Sequence, residues 1–385
     1  INLAPAGSLA TTGDDISRFM IAHLQDGKFG DKEILKPETA VMMHGTALDM
    51  IPHLPRMDLG FYEQPINGHM VISHGGDTEF FHSYLWLYPS DHVGLFISMN
   101  SAGKEGAAHT IRQQLFELFS DRYFPEAASD AKVDDATAAR DSKLLVGAYE
   151  NSRRAETNFL DLLNLIQPTK VSLNQDGTLS VSGMNKASGE PKHYREIEPL
   201  LWREVGGHSL LGAIVENGAV KRFSVSDISP FMMLQPYSAA QAPSWLTPAA
   251  LIALGCLVLT LTGWLASAFF PRSDKPRAHT YRWIRFADLA AFTVTCGWGG
   301  FVVWLVGSGL DKTVSAVFFL HVMQILTVVG LVGSFGVGLW NAREVLTFRE
   351  ARWHNKAWAV LQAASLAALL WIAAVYHLIG FSGEF

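Results

Sequence analysis

The 385-residue chain reads as a multi-domain protein. An α+β lobe comes first, then a small all-β, barrel-like domain, then a four-helix transmembrane domain. Three observations predict this order. Alternating apolar stretches punctuated by turn residues fill the first part between helical patterns. Shorter alternating stretches with hairpin signals return after a segment poor in large apolar residues. Beyond about Trp245 the chain is far more apolar than before, so the 49% hydrophobic content averages a soluble part and a membrane part.

The lobe takes residues 1–124. Thr11 or Thr12 can cap a first helix, with Asp14 and Asp15 in its first turn. Ile16, Phe19, Met20 and Leu24 then follow helical spacing, and Asp26-Gly27 ends the run. Lys36-Pro37-Glu38-Thr39 starts a second helix through Val41 and Met42. Leu59–Tyr62 reads as a strand, and Asn67-Gly68 as a hairpin turn into Met70-Val-Ile-Ser-His-Gly-Gly-Asp-Thr78. Two more strands follow, Ser83–Tyr88 and Val93–Met99. A helix from Ala107 to Phe124 carries Ile111, Leu115, Leu118 and Phe119 on one stripe. Helices therefore flank an antiparallel sheet.

Residues 125–142 read as a linker, and 143–240 as the β domain. Asn-Gln-Asp-Gly between Val171-Ser-Leu and Thr178-Leu-Ser-Val is one hairpin signal, and Asn217-Gly218 is another. Gly147-Ala-Tyr149 opens the first strand. The domain's function is not readable from its residues, and a spacer between lobe and membrane is the default expectation.

Residues 245–385 hold apolar runs at about 245–270, 284–306, 315–340 and 357–379. Each exceeds the roughly 20 residues a helix needs to cross a bilayer. Arg272, Lys275, Arg277 and Arg282 lie between the first two runs, and Arg343, Arg349, Arg352 and Lys356 between the last two. The loop at Asp311-Lys312 and the tail from Gly380 to Phe385 are poor in bases. Basic loops stay inside. A multi-pass protein of the cytoplasmic membrane is expected, with residues 1–244 and the C-terminus on the extracytoplasmic side. Asp288 stands one turn from Arg285 and is expected to pair with it. His321 and His377 fall toward the outer ends of their helices.

Other chemistry is not indicated. The net charge of −6 gives no nucleic-acid partner. Cys256 and Cys296 lie in apolar runs, so neither a disulfide framework nor a cysteine metal site is implied. No histidine pair has metalloprotease spacing, and no phosphate-cradling glycine loop follows a strand. No cofactor or metal is expected.

The succession of Pro5-Ala-Gly-Ser-Leu-Ala-Thr, the Phe19-Met helix, Leu35-Lys-Pro-Glu-Thr, Leu59-Gly-Phe-Tyr, His74-Gly-Gly-Asp-Thr and Phe81-His-Ser resembles the C-terminal half of serine β-lactamase-related proteins. These include class C β-lactamases, D,D-peptidases and related esterases. The resemblance covers residues 1 to about 124, and the β domain is similar to accessory domains that follow such hydrolases. The most specific element is His74-Gly75-Gly76, matching the third box, where many members carry Lys-Thr-Gly.

The resemblance implies serine acyl transfer on a small-molecule or peptide acyl substrate, peptidoglycan peptides included. In that scheme His74 sits beside the nucleophile and helps place or protonate substrate. Gly75 and Gly76 let substrate lie against the strand, and the Asp77 backbone N–H is an oxyanion donor. Thr78 and His82 are candidate cleft residues, and His69 a further one; His44 and His53 have no assigned place. Histidine in place of lysine favours peptidase or esterase chemistry over efficient β-lactam hydrolysis.

Ser101-Ala-Gly-Lys104 is a Ser-x-x-Lys, a pattern arising by chance roughly once per 300 residues. It follows the third box, at a strand end, with Gly103 and Gly106 opposing a buried helix start. No nucleophile is therefore assigned. The chain begins at Ile1, not Met, and is expected to be a fragment whose missing part carries Ser-x-x-Lys and an export signal. The alternative is a non-catalytic, membrane-bound binding or sensing protein on the same fold. A small transporter with an ectodomain is a third reading. Oligomeric state is not readable.

Overall fold

The computed structural model describes residues 7, 9–45, 47–78, 80–126, 131–269, 280–308, 313–381 and 383. The chain forms two compact units, Ile1–Arg153 with Thr169–Pro236, and Arg154–Pro168 with Tyr237–Phe385. Pro5, Arg272, Lys275, Arg277, Asp311, Lys312, Glu384 and Phe385 lie outside the described residues, as does most of the 125–130 stretch.

In the first unit, α1 (Gly13–Leu24) starts at Thr12, whose side chain accepts from Asp15 N–H. A two-strand ribbon, β1 (Lys28–Phe29) with β2 (Lys32–Glu33), leads to α2 (Pro37–Met43), which opens on its proline. The sheet is antiparallel in the order β3 (Tyr62–Glu63), β4 (Ile72–Asp77), β5 (His82–Tyr88), β6 (Val93–Met99). Asn67 and Gly68 take φ of 51° and 75°, as a primed hairpin turn into β4 requires. The two sheet faces differ. Ile72, Leu85 and Leu87 pack with Met20 of α1 and with Phe61. Val71, Trp86 and Tyr88 pack with Phe116 of α3 (Ala107–Tyr123). The Trp86 and Phe116 rings stack at 4.8 Å.

The buried face of α3 is Ala108, Arg112, Phe116 and Ser120, not the stripe read from the sequence. Ile111, Leu115 and Leu118 are exposed. Apolar periodicity pointed the wrong way because the inward face carries an arginine with a carboxylate to meet.

α4 (Asp135–Leu145) begins inside the stretch read as a linker. Asp134 caps it, accepting from Ala136 and Thr137 N–H, and Leu145 joins the core of the following domain. That domain is a closed eight-stranded barrel. Its strands are β7 (Gly147–Asn151), β8 (Thr169–Leu173), β9 (Leu179–Val181), β10 (Tyr194–Glu198), β11 (Leu201–Glu204), β12 (Leu210–Glu216), β13 (Ala219–Val225) and β14 (Leu234–Pro236). Tyr149, Tyr194, Trp202, Leu211 and Phe223 fill it. Asn217-Gly218 turns β12 into β13, with φ of 53° and 76°.

The second unit interrupts the barrel in sequence. Residues 154–168 read as part of the β domain, yet they belong to the unit of the apolar helices. There a 3-10 turn (Phe159–Asp161) runs into α5 (Leu162–Ile166), and Phe159 packs against Trp298 and Phe301. Among the described residues, four helical stretches are long and apolar enough to cross a membrane: Pro243–Ser267, Tyr281–Gly307, Val314–Thr347 and Trp353–Val375. They comprise α6 (Pro243–Phe269), α7 (Tyr281–Gly307), α8 (Val314–Thr327) joined through a π turn at Val328–Val332 to α9 (Gly333–Thr347), and α10 (Trp353–Val375). A Cβ at Gly330 in the π turn would meet the Val294 side chain at 2.8 Å, so glycine sets that close approach. Side-chain hydrogen bonds cross the bundle: Trp298 to Thr327 at 2.6 Å, Thr280 to Asn341 at 2.8 Å.

Asp288 is buried but does not pair with Arg285. Gln362 Nε2 donates to its Oδ2 at 2.7 Å, while Arg285 lies over the Tyr281 and Trp264 rings. Helical spacing put the two charges one turn apart, and the aromatic neighbours captured the guanidinium instead. His321 Nδ1 meets Gln324 Oε1 at 3.0 Å within α8. His377 follows the end of α10 at φ 58°.

Phe116→Ala would empty the fully buried ring site against Trp86. It should destabilise the first unit by about 3–5 kcal/mol in denaturant unfolding.

Candidate active site

The four residues singled out in the sequence lie along β4, and strand alternation divides them. His74 and Gly76 share the face of Ile72, toward α1. Gly75 and Asp77 share the face of Ser73, toward α3. His74 is exposed, its ring stacked on Tyr62 at 5.0 Å. Partial desolvation holds its imidazolium below the usual histidine range, against a hydrogen bond with the Gly75 backbone.

The two glycines serve different ends. A Cβ at Gly75 would sit 2.3 Å from the Tyr84 ring, so this glycine makes room for a cross-strand neighbour. A Cβ at Gly76 would meet nothing within 4 Å. Gly76 alone leaves open space along the His74 face.

The backbone of β4 is open at one edge. Gln64 N–H donates to Val71 O at 2.7 Å, and Thr78 N–H to Phe81 O at 2.8 Å. Backbone groups alternate direction along an antiparallel strand. Val71, Ser73, Gly75 and Asp77 therefore aim theirs toward β3, and the intervening residues toward β5. Pairing with β3 ends at Tyr62 opposite Ser73. The N–H and C=O of Gly75 and Asp77 thus face an edge that β3 does not cover. Beside it lies a cavity of ≈ 570 Å³ lined by Tyr62, Ser73, Gly75, Asp77, Tyr84, Arg112, Arg153 and the barrel segment Ser226–Met232, among others.

The Asp77 carboxylate is held by two elements. Arg112 of α3 donates through both terminal nitrogens, at 3.1 and 3.2 Å, and also to Ser83 O at 3.1 Å. His82 Nδ1 meets Asp77 Oδ1 at 2.9 Å. Desolvation raises the Asp77 carboxyl, but the Arg112 and His82 hydrogen bonds outweigh it and hold it below the usual range. A guanidinium 1% exposed with a bidentate carboxylate partner is a strong, oriented contact.

Residues 2–118 match the family model described as Beta-lactamase. This segment is similar to the β-lactamase family. Among solved structures, one described as SurE with D-Leu is 17% identical, with a TM-score of 0.34, covering 58% of this chain and 50% of that one. An octameric penicillin-binding protein homologue from Pyrococcus abyssi is 12% identical, with a TM-score of 0.25, covering 58% and 47%. The chain thus spans about half the length of each. No curated protein matches.

Within the matched segment His82, His69 and His44 have structural partners. Thr78 closes the β4–β5 turn, its Oγ1 accepting from Phe81 N–H at 3.0 Å. His82 belongs to the Asp77 network, and its Nε2 is buried without a hydrogen-bond partner. His69 meets Asp91 at 2.8 Å and His53 sits in an exposed turn at φ 67°. His44 pairs with His23 at 2.9 Å beneath Phe61. Burial, then the His44 charge, pushes His23 down to about 4. Ser101 lies in an exposed loop after β6, its Oγ accepting from Gly103 N–H at 3.1 Å, with no helix starting at it.

Sequence reasoning missed Arg112, Tyr84 and Tyr62. For Arg112 a signal existed: Ala108, Arg112 and Phe116 are spaced four apart, placing the arginine in line with an aromatic residue on one helix face. It also missed Asp58, 4% exposed, in the loop leading to Tyr62. Burial, then the neighbouring Glu63 charge, pushes its carboxyl up to about 7.

Two predictions follow from this geometry. Gly75→Ala should destabilise the first unit by several kcal/mol, on the order of an overpacked core site. Adding Tyr84→Ala should recover part of the loss, read as a coupling energy in a double-mutant cycle. Asp58 binds its proton more tightly folded than unfolded. Its stabilising contribution is complete below the unfolded carboxyl pKa and is lost as pH rises through about 7. Asp58→Asn should therefore match the parent near pH 4 and exceed it by about 1–3 kcal/mol near pH 8, measured by chemical denaturation.

Proposed function

We propose that this chain is part of a membrane-anchored serine hydrolase and that β4 forms one wall of its acyl-transfer cleft. The observation that carries the reading is the uncovered edge of β4. Gly75 and Asp77 present backbone groups there, and His74 and Gly76 flank an open face. An extended acyl substrate can add to such an edge as a short strand. The Asp77 N–H is then placed to meet an oxyanion, and the loss of one such donor typically costs roughly 10²–10³ in rate. His74, mostly neutral near pH 7, can donate or accept a proton rather than supply the fixed charge of a lysine.

The nucleophile in this proposal comes from sequence outside these 385 residues. Ser101 is not offered as one, because no helix N-terminus carries it and its hydroxyl is spent on a local turn. The substrate is a peptide or ester acyl group, with cell-wall peptides the favoured class. The four apolar helices anchor the unit with the lobe on the extracytoplasmic side.

The test is active-site labelling of the protein encoded by the complete gene with a fluorophosphonate or penicillin probe. A covalent adduct on a Ser-x-x-Lys serine is expected. His74→Ala should slow its formation by roughly 10²-fold or more, while His74→Lys should keep much of it. A folded sample that takes no label would end the hydrolase reading in favour of a binding or sensing protein.

A further inference from the structure

The membrane-length helices bury one carboxyl among neutral groups. Asp288 on α7 is 0% exposed. Gln362 on α10 donates to Asp288 Oδ2 at 2.7 Å and reaches Thr260 Oγ1 on α6 at 3.3 Å. The second carboxyl oxygen, Oδ1, is buried with no hydrogen-bond partner. Ser365, one turn beyond Gln362 on α10, is buried beside the Cys256 thiol. Cys256, one turn before Thr260 on α6, lies against the same groups. Three helices thus converge on one carboxyl, and its Oδ1 is left buried without a hydrogen bond, where such atoms are rare.

No cation answers this carboxyl among the described residues. Arg285 is turned onto the Tyr281 and Trp264 rings. At this level α9 presents Ser334, whose Oγ donates to Ala287 O at 2.7 Å. The buried polar residues of α8 are Gln324 and Thr327, both neutral. The Cys256 thiol is the titratable neighbour. Arg343 and Glu344 on α9, and His354 and Lys356 on α10, stand more than about one and a half turns along their helices from Ser334 and Gln362. A carboxylate here has no counter-charge, and binding a proton removes the cost of burying it.

We infer that Asp288 is a proton-binding site inside the four-helix bundle. The proton binds a carboxylate oxygen and leaves from it, and no other bond changes. Gln362 holds one oxygen in place while Oδ1 takes and returns the proton. Asp288 is seven residues from Tyr281 at the start of α7, about 10 Å along the axis. The path to that helix end is short.

The test uses the full chain in lipid nanodiscs and dicyclohexylcarbodiimide, which adds to protonated carboxyls in apolar surroundings. Adducts are located by peptide mass spectrometry. Asp288 should be labelled at mildly acidic pH, labelling should fall by at least about tenfold into the alkaline range, and sodium ions should not protect it. Gln362→Leu removes a donor that favours the charged form, so labelling should persist with its midpoint moved upward. Absence of label at every pH would overturn the inference. Equal labelling at every pH would make Asp288 a permanently protonated strut. Protection by sodium would make the site one for an alkali cation. An unmoved midpoint in Gln362→Leu would remove the amide from it.

Discussion

The Arg112–Asp77 pair is the contact on which the geometry of the lobe rests. It joins the last residue of β4 to the buried face of α3, and the same guanidinium holds Ser83 O and lies over the Tyr84 ring at 5.1 Å. Asp77 in turn receives His82. Both strands of the β4–β5 hairpin are thereby fixed to one helix at the end where β4 has lost β3. An edge strand without such an anchor frays. A 2% exposed guanidinium side chain left without its carboxylate would carry the full desolvation cost of an unpaired charge.

The anchor also settles which face of β4 is free. The odd-numbered residues are engaged: Ser73 with Tyr62 O and Gln64, Gly75 with the Tyr84 ring, Asp77 with Arg112. The even-numbered residues His74 and Gly76 are exposed. Backbone groups of the first set and side chains of the second are thus both available at the same edge. A strand that binds substrate by its main chain and acts on it with a side chain needs this division.

Much of the fold class was legible. Asn67-Gly68 and Asn217-Gly218 announced their hairpins because positive φ at two successive positions admits few residues. The four apolar helices followed from length and composition. What escaped was set by partners distant in sequence. The stripe of α3 was misread because a buried arginine looks polar until Asp77 is opposite it. Residues 159–165 carry the apolar side chains Phe159, Leu162, Leu163 and Leu165, which fit a strand-rich stretch or a helix equally well. α4 was hidden because alanine, aspartate and arginine carry little hydrophobic signal, although Asp134 is a good N-cap. At the site, His74-Gly-Gly could be picked out along the chain. That Tyr84 fills the face of Gly75, nine residues away in sequence, could not.

Amide hydrogen exchange at Gly75 and Asp77, in the protein from the complete gene and with a boronic-acid acyl-transfer inhibitor bound, tests the central claim most directly. The account predicts that both amides, free of a β3 partner in the unliganded protein, become strongly protected on binding, together with the open edge of β4. Unchanged exchange at these two positions, with the inhibitor demonstrably bound, would contradict it.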